Sequence, residues 1–501
     1  MFETIDFGTS FSPMAQRAIA WLQAQRVTGW LVGGTVRDLL LRRPAHDLDL
    51  AVPSDGLRLA KRLADALGAA FFPLDAERDV GRAVLVEPDG SQTYVDVAAL
   101  RGPTLAADLR LRDFTLNALA LDVQAPNVGV IDVTGGLEDL QQHVIRVASE
   151  RSFQDDPLRI LRGVRLALTF DLTWDAFSLA LARRQASALD QVAAERVREE
   201  LNRVFVYSQA DLAVRQLDDI GALVVVLPEI KALQGVTQGP PHQLDVYAHT
   251  LEVARRTQAL LAGAERAPSA CPAEAELAAL LAPFDPALRA YLGQTVDQGH
   301  SRAGLLVWSA LLHDSGKPAT RQVDADGAIT FCDHEALSGR LAGLLLKRLA
   351  FSSEANHLVA RTCTEHRRAG ALAALTVGRP DRRQVYHYFQ AAHPVGVEVA
   401  LLSLADHLAA WGAGLIPERW QARRDVVQAL LTAFFVHYGE QVRPQALLDG
   451  RQLLAGLGLA PGPQIGVLLA QLREEQAAGV ITTEAAAWDF VRAAVARTAG
   501  G

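Results

Sequence analysis

A chain of 501 residues, half of them hydrophobic, can bury several cores, and about 150 residues per domain predicts three or four domains. With 49 Lys+Arg against 57 Asp+Glu the net charge is −8, which excludes a uniformly basic nucleic-acid coat and confines any RNA contact to local arginine clusters. There is no charge-free run of about 20 apolar residues, and the start "MFETIDFGTS" lacks basic and apolar signal regions, so the expectation is a cytoplasmic protein with no membrane partner.

In chain order, residues 14–27 pattern as an amphipathic helix, and "GWLVGG" (29–34) as a short strand running into a turn. "TVRDLLLRR" continues with helical periodicity, "HDLDLAVP" alternates as a strand, and "GLRLAKRLADALGA" is a helix. The strands "RAVLVEP", "YVDVAAL" and "NVGVIDVTGG" complete a mixed α/β unit ending near residue 145. From there the pattern is helical almost throughout, with no further run of strand signals. "GAERAPSACPAEAE" (263–276) has the composition of a flexible insertion, the pattern restarts after "GLIPERW" (414–420), and Pro461-Gly462-Pro463 marks a turn into a last helical stretch. No fixed-period repeat points to a solenoid. Cys271, Cys332 and Cys363 are too scattered for a disulfide framework or a zinc cluster and read as reduced thiols.

The densest chemistry lies in "LVGGTVRDLLLRRPAHDLDL" (31–50). Alternate strand residues share a face, so Asp47 and Asp49 present two carboxylates side by side, an oxygen-only set that suits Mg²⁺ together with substrate phosphates. Gly33 and Gly34 leave backbone N–H groups uncovered, and Arg37, one turn on, can reach a phosphate. A triphosphate cradle facing a divalent cation is what nucleotidyl transfer requires.

The order G-G-x-V-R-D-x-L-L-x-R-x-x-x-D-x-D resembles the signature of the class II nucleotidyltransferases, the family of tRNA CCA-adding enzymes and bacterial poly(A) polymerases, whose head is of the DNA polymerase β type. "DLRLRDFTLNALAL" (108–121) is similar to that family's ribose-and-phosphate motif, at Arg112, Asp113 and Asn117; its first arginine is Leu111 here, with Arg110 one place off. "DDPLRILRGVR" (155–165) resembles the base-selecting motif, which implies that Asp156, Arg159 and Arg162 read a cytosine or adenine edge from one face of a helix. Asp96 is a candidate third acidic ligand, with a strand-end charge as its alternative. The short run from "YVDVAAL" to Arg112 resembles the CC-adding type, which stops before the terminal adenosine.

A second set, His249, His313-Asp314 and Asp406, matches the H…HD…D order of HD-type metal-dependent phosphohydrolases, with His334 and His366 as additional histidines and Lys317 as an auxiliary phosphate contact. Imidazoles and carboxylates on facing helices suit a divalent transition metal.

Together the resemblances imply an α/β nucleotidyltransferase head (1–150), a helical neck carrying the base-selecting helix (151–238), an HD-type region (239–420) and a helical tail for tRNA contact (421–501). The implied activity is addition of cytidine, as CC or as full CCA, to a tRNA 3′ end from CTP and, for the adenosine, ATP. Mg²⁺ is the implied head cofactor, and the HD region implies phosphohydrolysis. A poly(A) polymerase, and an HD phosphohydrolase with a nucleotide-sensing head, are the alternatives. Nothing in the sequence addresses oligomeric state.

Overall fold

Pro13 at the first turn and the Ser12 hydroxyl accepting from the Ala15 N–H start the helix Pro13–Ala24, as a proline and a serine cap should. The computed structural model describes residues 11–44, 47–126, 129–207, 209–262, 272–297 and 299–499. The stretch "MFETIDFGTS", Cys271 and most of the 263–276 segment lie outside them; residues 272–276 open the helix Pro272–Leu281. The chain divides into two compact units, residues 1–192 with 220–222, and residues 193–219 with 223–501.

In the first unit, strands β1 (Trp30–Val32), β2 (Leu48–Val52), β3 (Ala70–Asp75), β4 (Val80–Val86), β5 (Gln92–Ala99), β6 (Leu119–Asp122) and β7 (Ile131–Asp132) form one sheet, ordered β3-β4-β5-β2-β1-β6-β7. Only β2 and β5 run parallel; their register sets Asp49 beside Asp96. The helix Gly56–Leu67 packs against the sheet with Leu59, Ala60, Leu63 and Ala64 buried on one stripe, and Asp79 caps it by accepting from the N–H groups of Gly56 and Leu57 at 2.8 Å each. This mixed sheet with a helix on its face is the α/β head that the sequence predicted.

Two of these strands depart from the sequence expectation. β3, and β6 between β1 and β7, were not foreseen, and among the described residues of "NVGVIDVTGG" only Ile131–Asp132 is a strand. Four-residue "LALD" offers too few positions for a period of two to register. Likewise, three small two-stranded pairs interrupt the expected helical stretch: Val144–Ile145 with Thr173–Trp174, Thr295–Asp297 with His300–Ser301, and Arg321–Val323 with Ile329–Phe331.

The second unit is mostly helical. Its centre is the helix Gly396–Trp411, apolar nearly all round and buried along most of its length, flanked by Val246–Ala262, Ser353–Glu365 and Pro417–Phe435. The helix Pro417–Phe435 runs across position 420 without a break. Towards the C-terminus, Leu448, Leu453, Leu472, Ala487 and Val491 belong to a separate apolar nucleus. Cys332 is exposed and Cys363 buried, both as free thiols. Among the described residues no single helix is long and apolar enough to cross a membrane.

Candidate active site

The head site forms where β1 turns into the helix Gly34–Leu40 beside the start of β2. Thr35 stitches the two together: its hydroxyl donates to the Asp47 carbonyl at 3.0 Å and accepts from the Asp49 N–H at 2.9 Å. Asp47 is exposed, one oxygen accepting from the Tyr94 N–H at 3.2 Å. Asp49 points at the glycine corner. Gly33 has φ +69°, and a Cβ there would lie 3.0 Å from Asp49 Oδ2 and 3.3 Å from a terminal nitrogen of Arg112. A Cβ on Gly34 would meet Arg37 at 3.4 Å and the same Asp49 oxygen at 3.9 Å. The bare corner therefore collects one carboxylate and two guanidinium groups.

Burial raises the Asp49 pKa to about 6, with the Asp96 and Asp47 carboxylates adding to the rise while Arg112 and Arg37 oppose it. Nε and one terminal nitrogen of Arg82 donate to the two oxygens of Asp96, at 2.7 and 2.8 Å. A buried carboxylate lifted to about 6, with two further carboxylates beside it, makes an oxygen donor set that fits a hard divalent cation.

Behind the corner runs a buried polar chain. Arg37 donates to Asn117 Oδ1 at 2.7 Å and pairs with Asp38 at 2.8 Å. Asn117 donates to Asp113 at 3.1 Å, and Asp113 pairs with Arg162 at 3.0 Å. Burial works to raise the Asp113 pKa, but Arg162, Asn117 and the Phe114 N–H outweigh it and hold it below the usual range. Arg112 pairs with Asp108 at 3.1 Å. Leu111 is exposed, and Arg110 turns back to the Ala106 carbonyl at 3.4 Å.

The base-selecting motif folds differently from the expected single helical face. Asp156 is extended, ahead of the helix Arg159–Phe170, because Pro157 disfavours helical backbone before it. Its carboxylate accepts from the Leu158 N–H at 3.2 Å. Arg159 is buried and donates to the carbonyls of Leu111 (3.0 Å), Arg112 (3.3 Å) and Ser152 (3.3 Å), so it ties the ribose motif to this helix.

A second site lies inside the other unit. Asp314 is at its centre, with the Nε2 atoms of His313, His334, His249 and His366 at 3.2, 3.4, 3.7 and 3.8 Å from its oxygens. His249 Nε2 also lies 3.0 Å from Asp406 Oδ1. His313, His334 and His366 each turn Nδ1 to a backbone carbonyl, of Ala310, Phe331 and Cys363, which aims Nε2 inward as metal-binding imidazoles require. His249 Nδ1 is buried with no hydrogen-bond partner, and Nε2 of His313 and of His334 are buried with the Asp314 carboxylate near them only at poor hydrogen-bond geometry. Such orphaned atoms in a nitrogen-rich donor set fit a divalent transition metal. Burial and the neighbouring His313 push His366 down to about 4; burial also opposes the His313 proton, but Asp314 and Asp406 outweigh it and raise that pKa. Lys317 is not free to meet a phosphate: its Nζ is 2.7 Å from Asp314 and donates to Gln238 at 2.8 Å.

Residues 29–146 match the family profile described as "Poly A polymerase head domain", and residues 175–234 that described as "Probable RNA and SrmB- binding site of polymerase A". An A-adding tRNA nucleotidyltransferase of Deinococcus radiodurans is 32% identical over 450 residues, covering 88% of this chain and 90% of that protein. A CC-adding tRNA nucleotidyltransferase of Geobacter sulfurreducens is 34% identical over 437 residues, covering 87% and 85%. The chain belongs to the tRNA nucleotidyltransferase family. The fold of the Thermotoga maritima CCA-adding enzyme, solved in complex with tRNA, is similar at a TM-score of 0.58, with 19% identity over 97% of both chains.

Within a tRNA nucleotidyltransferase framework, the structure brings Gly33, Gly34, Asp49, Arg37 and Arg112 together and links Asp113, Asn117 and Arg162 behind them. Sequence reasoning missed Thr35, Arg82 and His242. His242 packs edge-on against His249, ring centroids 4.7 Å apart, and burial lowers its pKa to about 4. It precedes the helix Val246–Ala262, so no helical period connects it to His249 in the sequence. Thr35 and Arg82 looked like ordinary helix and strand residues, and only the sheet register reveals what they hold.

Proposed function

We propose that this chain extends tRNA 3′ ends with cytidine from CTP, stopping after two cytidines, in the cytoplasm. Asp47 and Asp49 would hold Mg²⁺. When bound, that ion supplies charge neutralisation for a triphosphate beside two carboxylates and for an ionising 3′-hydroxyl. Gly33 and Gly34 admit the phosphates to bare backbone, and Arg112 and Arg37 compensate their charge. In the transfer the RNA 3′-oxygen bonds to the α-phosphorus, the bond from that phosphorus to the α,β-bridging oxygen breaks, pyrophosphate leaves with that oxygen, and the hydroxyl proton passes to solvent. The carrying observation is the convergence of Asp49 and Arg112 on the Gly33 corner.

Asp113, Asn117 and Arg162 place the ribose motif, with Asp156 and Arg159 at the base site. Five residues separate β5, ending at Ala99, from the helix Leu105–Arg110, and this short link supports the CC reading. The A-adding Deinococcus relative favours a second reading, addition of the terminal adenosine. Offering the full chain a tRNA lacking its terminal trinucleotide, and one ending in CC, with CTP and ATP separately and together, decides between them. Two added cytidines, with ATP inert, is the expected result. Adenosine added to the CC end overturns it in favour of the second reading, and a long ATP-only tail identifies a poly(A) polymerase.

The division into head (1–150), neck (151–238), HD-type region (239–420) and tail (421–501) is part of the same proposal. In the HD-type region His249, His313, Asp314 and Asp406, with His334 and His366, would hold a divalent transition metal for phosphate-ester hydrolysis. Such a metal supplies a water of lowered pKa.

A further inference from the structure

A cavity of about 1010 Å³ opens beside the histidine cluster, with Asp406, His242, Trp411, Arg367, Arg368 and Arg423 among its walls. Asp406 is the cluster member that reaches it: its side chain is 26% exposed, against 1% for His249 and 2% for Asp314. Two of the wall arginines are already neutralised, Arg367 by Glu335 at 2.8 Å and Arg368 by Glu365 at 2.5 Å.

Arg423 differs from both. It makes no ion pair among the described residues; one terminal nitrogen reaches the Ser403 carbonyl at 3.4 Å, and its Nε is buried with no hydrogen-bond partner. A Cβ on Gly370 would lie 2.8 Å from both terminal nitrogens, so a bare stretch of backbone is what leaves the guanidinium room. Burial lowers its pKa although the Asp406 carboxylate attracts it from a distance, and a partly desolvated guanidinium with no carboxylate in contact is completed by an anion; its planar fork matches phosphoryl oxygens. The volume exceeds what a free phosphate needs and lies in the range of nucleotide-sized ligands. Arg419, 5.0 Å over the Trp411 ring, adds a second cation and an aromatic surface to the same wall.

We propose that Arg423 binds the phosphoryl group of a nucleotide-sized phosphate ester, holding it in this cavity for the histidine and aspartate cluster. This rests on the phosphohydrolase reading of that cluster. In the hydrolysis a water oxygen bonds to phosphorus, the bond to the ester oxygen breaks, and the leaving alcohol takes a proton from the water.

The test uses the full chain with inorganic phosphate as the binding probe, titrated calorimetrically with and without Mn²⁺, and bis(p-nitrophenyl) phosphate as the ester. Arg423→Gln is expected to weaken phosphate binding at least tenfold in both forms and to raise KM at least tenfold. kcat should change less than threefold and Mn²⁺ binding stay unaltered. Arg423→Lys should recover part of the loss, and Gly370→Ala, which displaces the guanidinium without removing it, should mimic Arg423→Gln in a folded protein. Unchanged phosphate affinity and KM in Arg423→Gln, while His313→Ala abolishes hydrolysis, overturns the Arg423 assignment and leaves the hydrolase reading intact. Arg423-dependent phosphate binding without hydrolysis of any ester by the wild type supports the anion site and overturns the hydrolase reading.

Discussion

Replacing Asp49 with Asn should stabilise the metal-free head while abolishing nucleotide addition. The Asp49 pKa is raised from 3.8 to about 6 by burial and by the Asp96 and Asp47 carboxylates. A carboxyl whose folded pKa lies above its unfolded one favours folding in its protonated form; that contribution is complete below about pH 4 and is lost as pH rises through about 6. At pH 7.5 without metal, ionised Asp49 therefore lowers the stability of the head by about 3 kcal/mol, taking roughly 1.4 kcal/mol per pKa unit. The carboxamide removes that penalty. Hydrogen exchange of the β2 amides, in EDTA at pH 7.5 and corrected for intrinsic rates, should be about 100-fold more protected in Asp49→Asn than in the wild type. At pH 4 the two proteins should converge, and Mg²⁺ should raise protection in the wild type alone. Equal or lower protection of the variant at pH 7.5, or a gain that persists at pH 4, would refute the idea that crowded carboxylates await a cation here.

Gly33→Ala places a Cβ 3.0 Å from Asp49 Oδ2 at φ +69°. A strain of about 1–3 kcal/mol and the displaced carboxylate should lower CTP incorporation more than 100-fold with the head still folded by circular dichroism. Phe114 is fully buried, edge-on to Phe153 and Trp174 at 6.3 and 6.1 Å. Phe114→Ala should cost the head about 3–5 kcal/mol, read as the same loss of exchange protection in β6. His313→Ala should eliminate phosphate-ester hydrolysis and leave tRNA nucleotide addition within about twofold. Because Asp314 and Asp406 raise the His313 pKa, a metal entering the cluster displaces that proton, so calorimetric metal affinity should rise with pH until the proton is gone.

Much of the head was legible because its chemistry is local. Asp49 lies on β2 with its glycine corner less than twenty residues upstream, so one strand and one turn suffice to place it; Asp47, expected on the same strand face, lies on the exposed bend just before β2. The ordered histidines of the second unit were equally visible, since each sits in an apolar helical pattern that makes a polar residue conspicuous. What escaped depends on contacts distant in sequence. Arg82 matters only because β4 pairs with β5 and sets it opposite Asp96. Arg423 lies in the helix Pro417–Phe435, and nothing in "QARRDVV" separates it from Arg424 until Glu276 is seen to claim that neighbour. Asp156 was placed on a helix by spacing alone, although the proline after it argues for an extended residue.

The most direct measurement is single-turnover incorporation of labelled CTP into a tRNA lacking its terminal trinucleotide, by the wild-type chain, Asp47→Ala and Asp49→Ala, with Mg²⁺ and with EDTA. Incorporation by the wild type in Mg²⁺ alone, lost in both variants with ester hydrolysis retained, is the result this account predicts. Undiminished incorporation by either variant would contradict it.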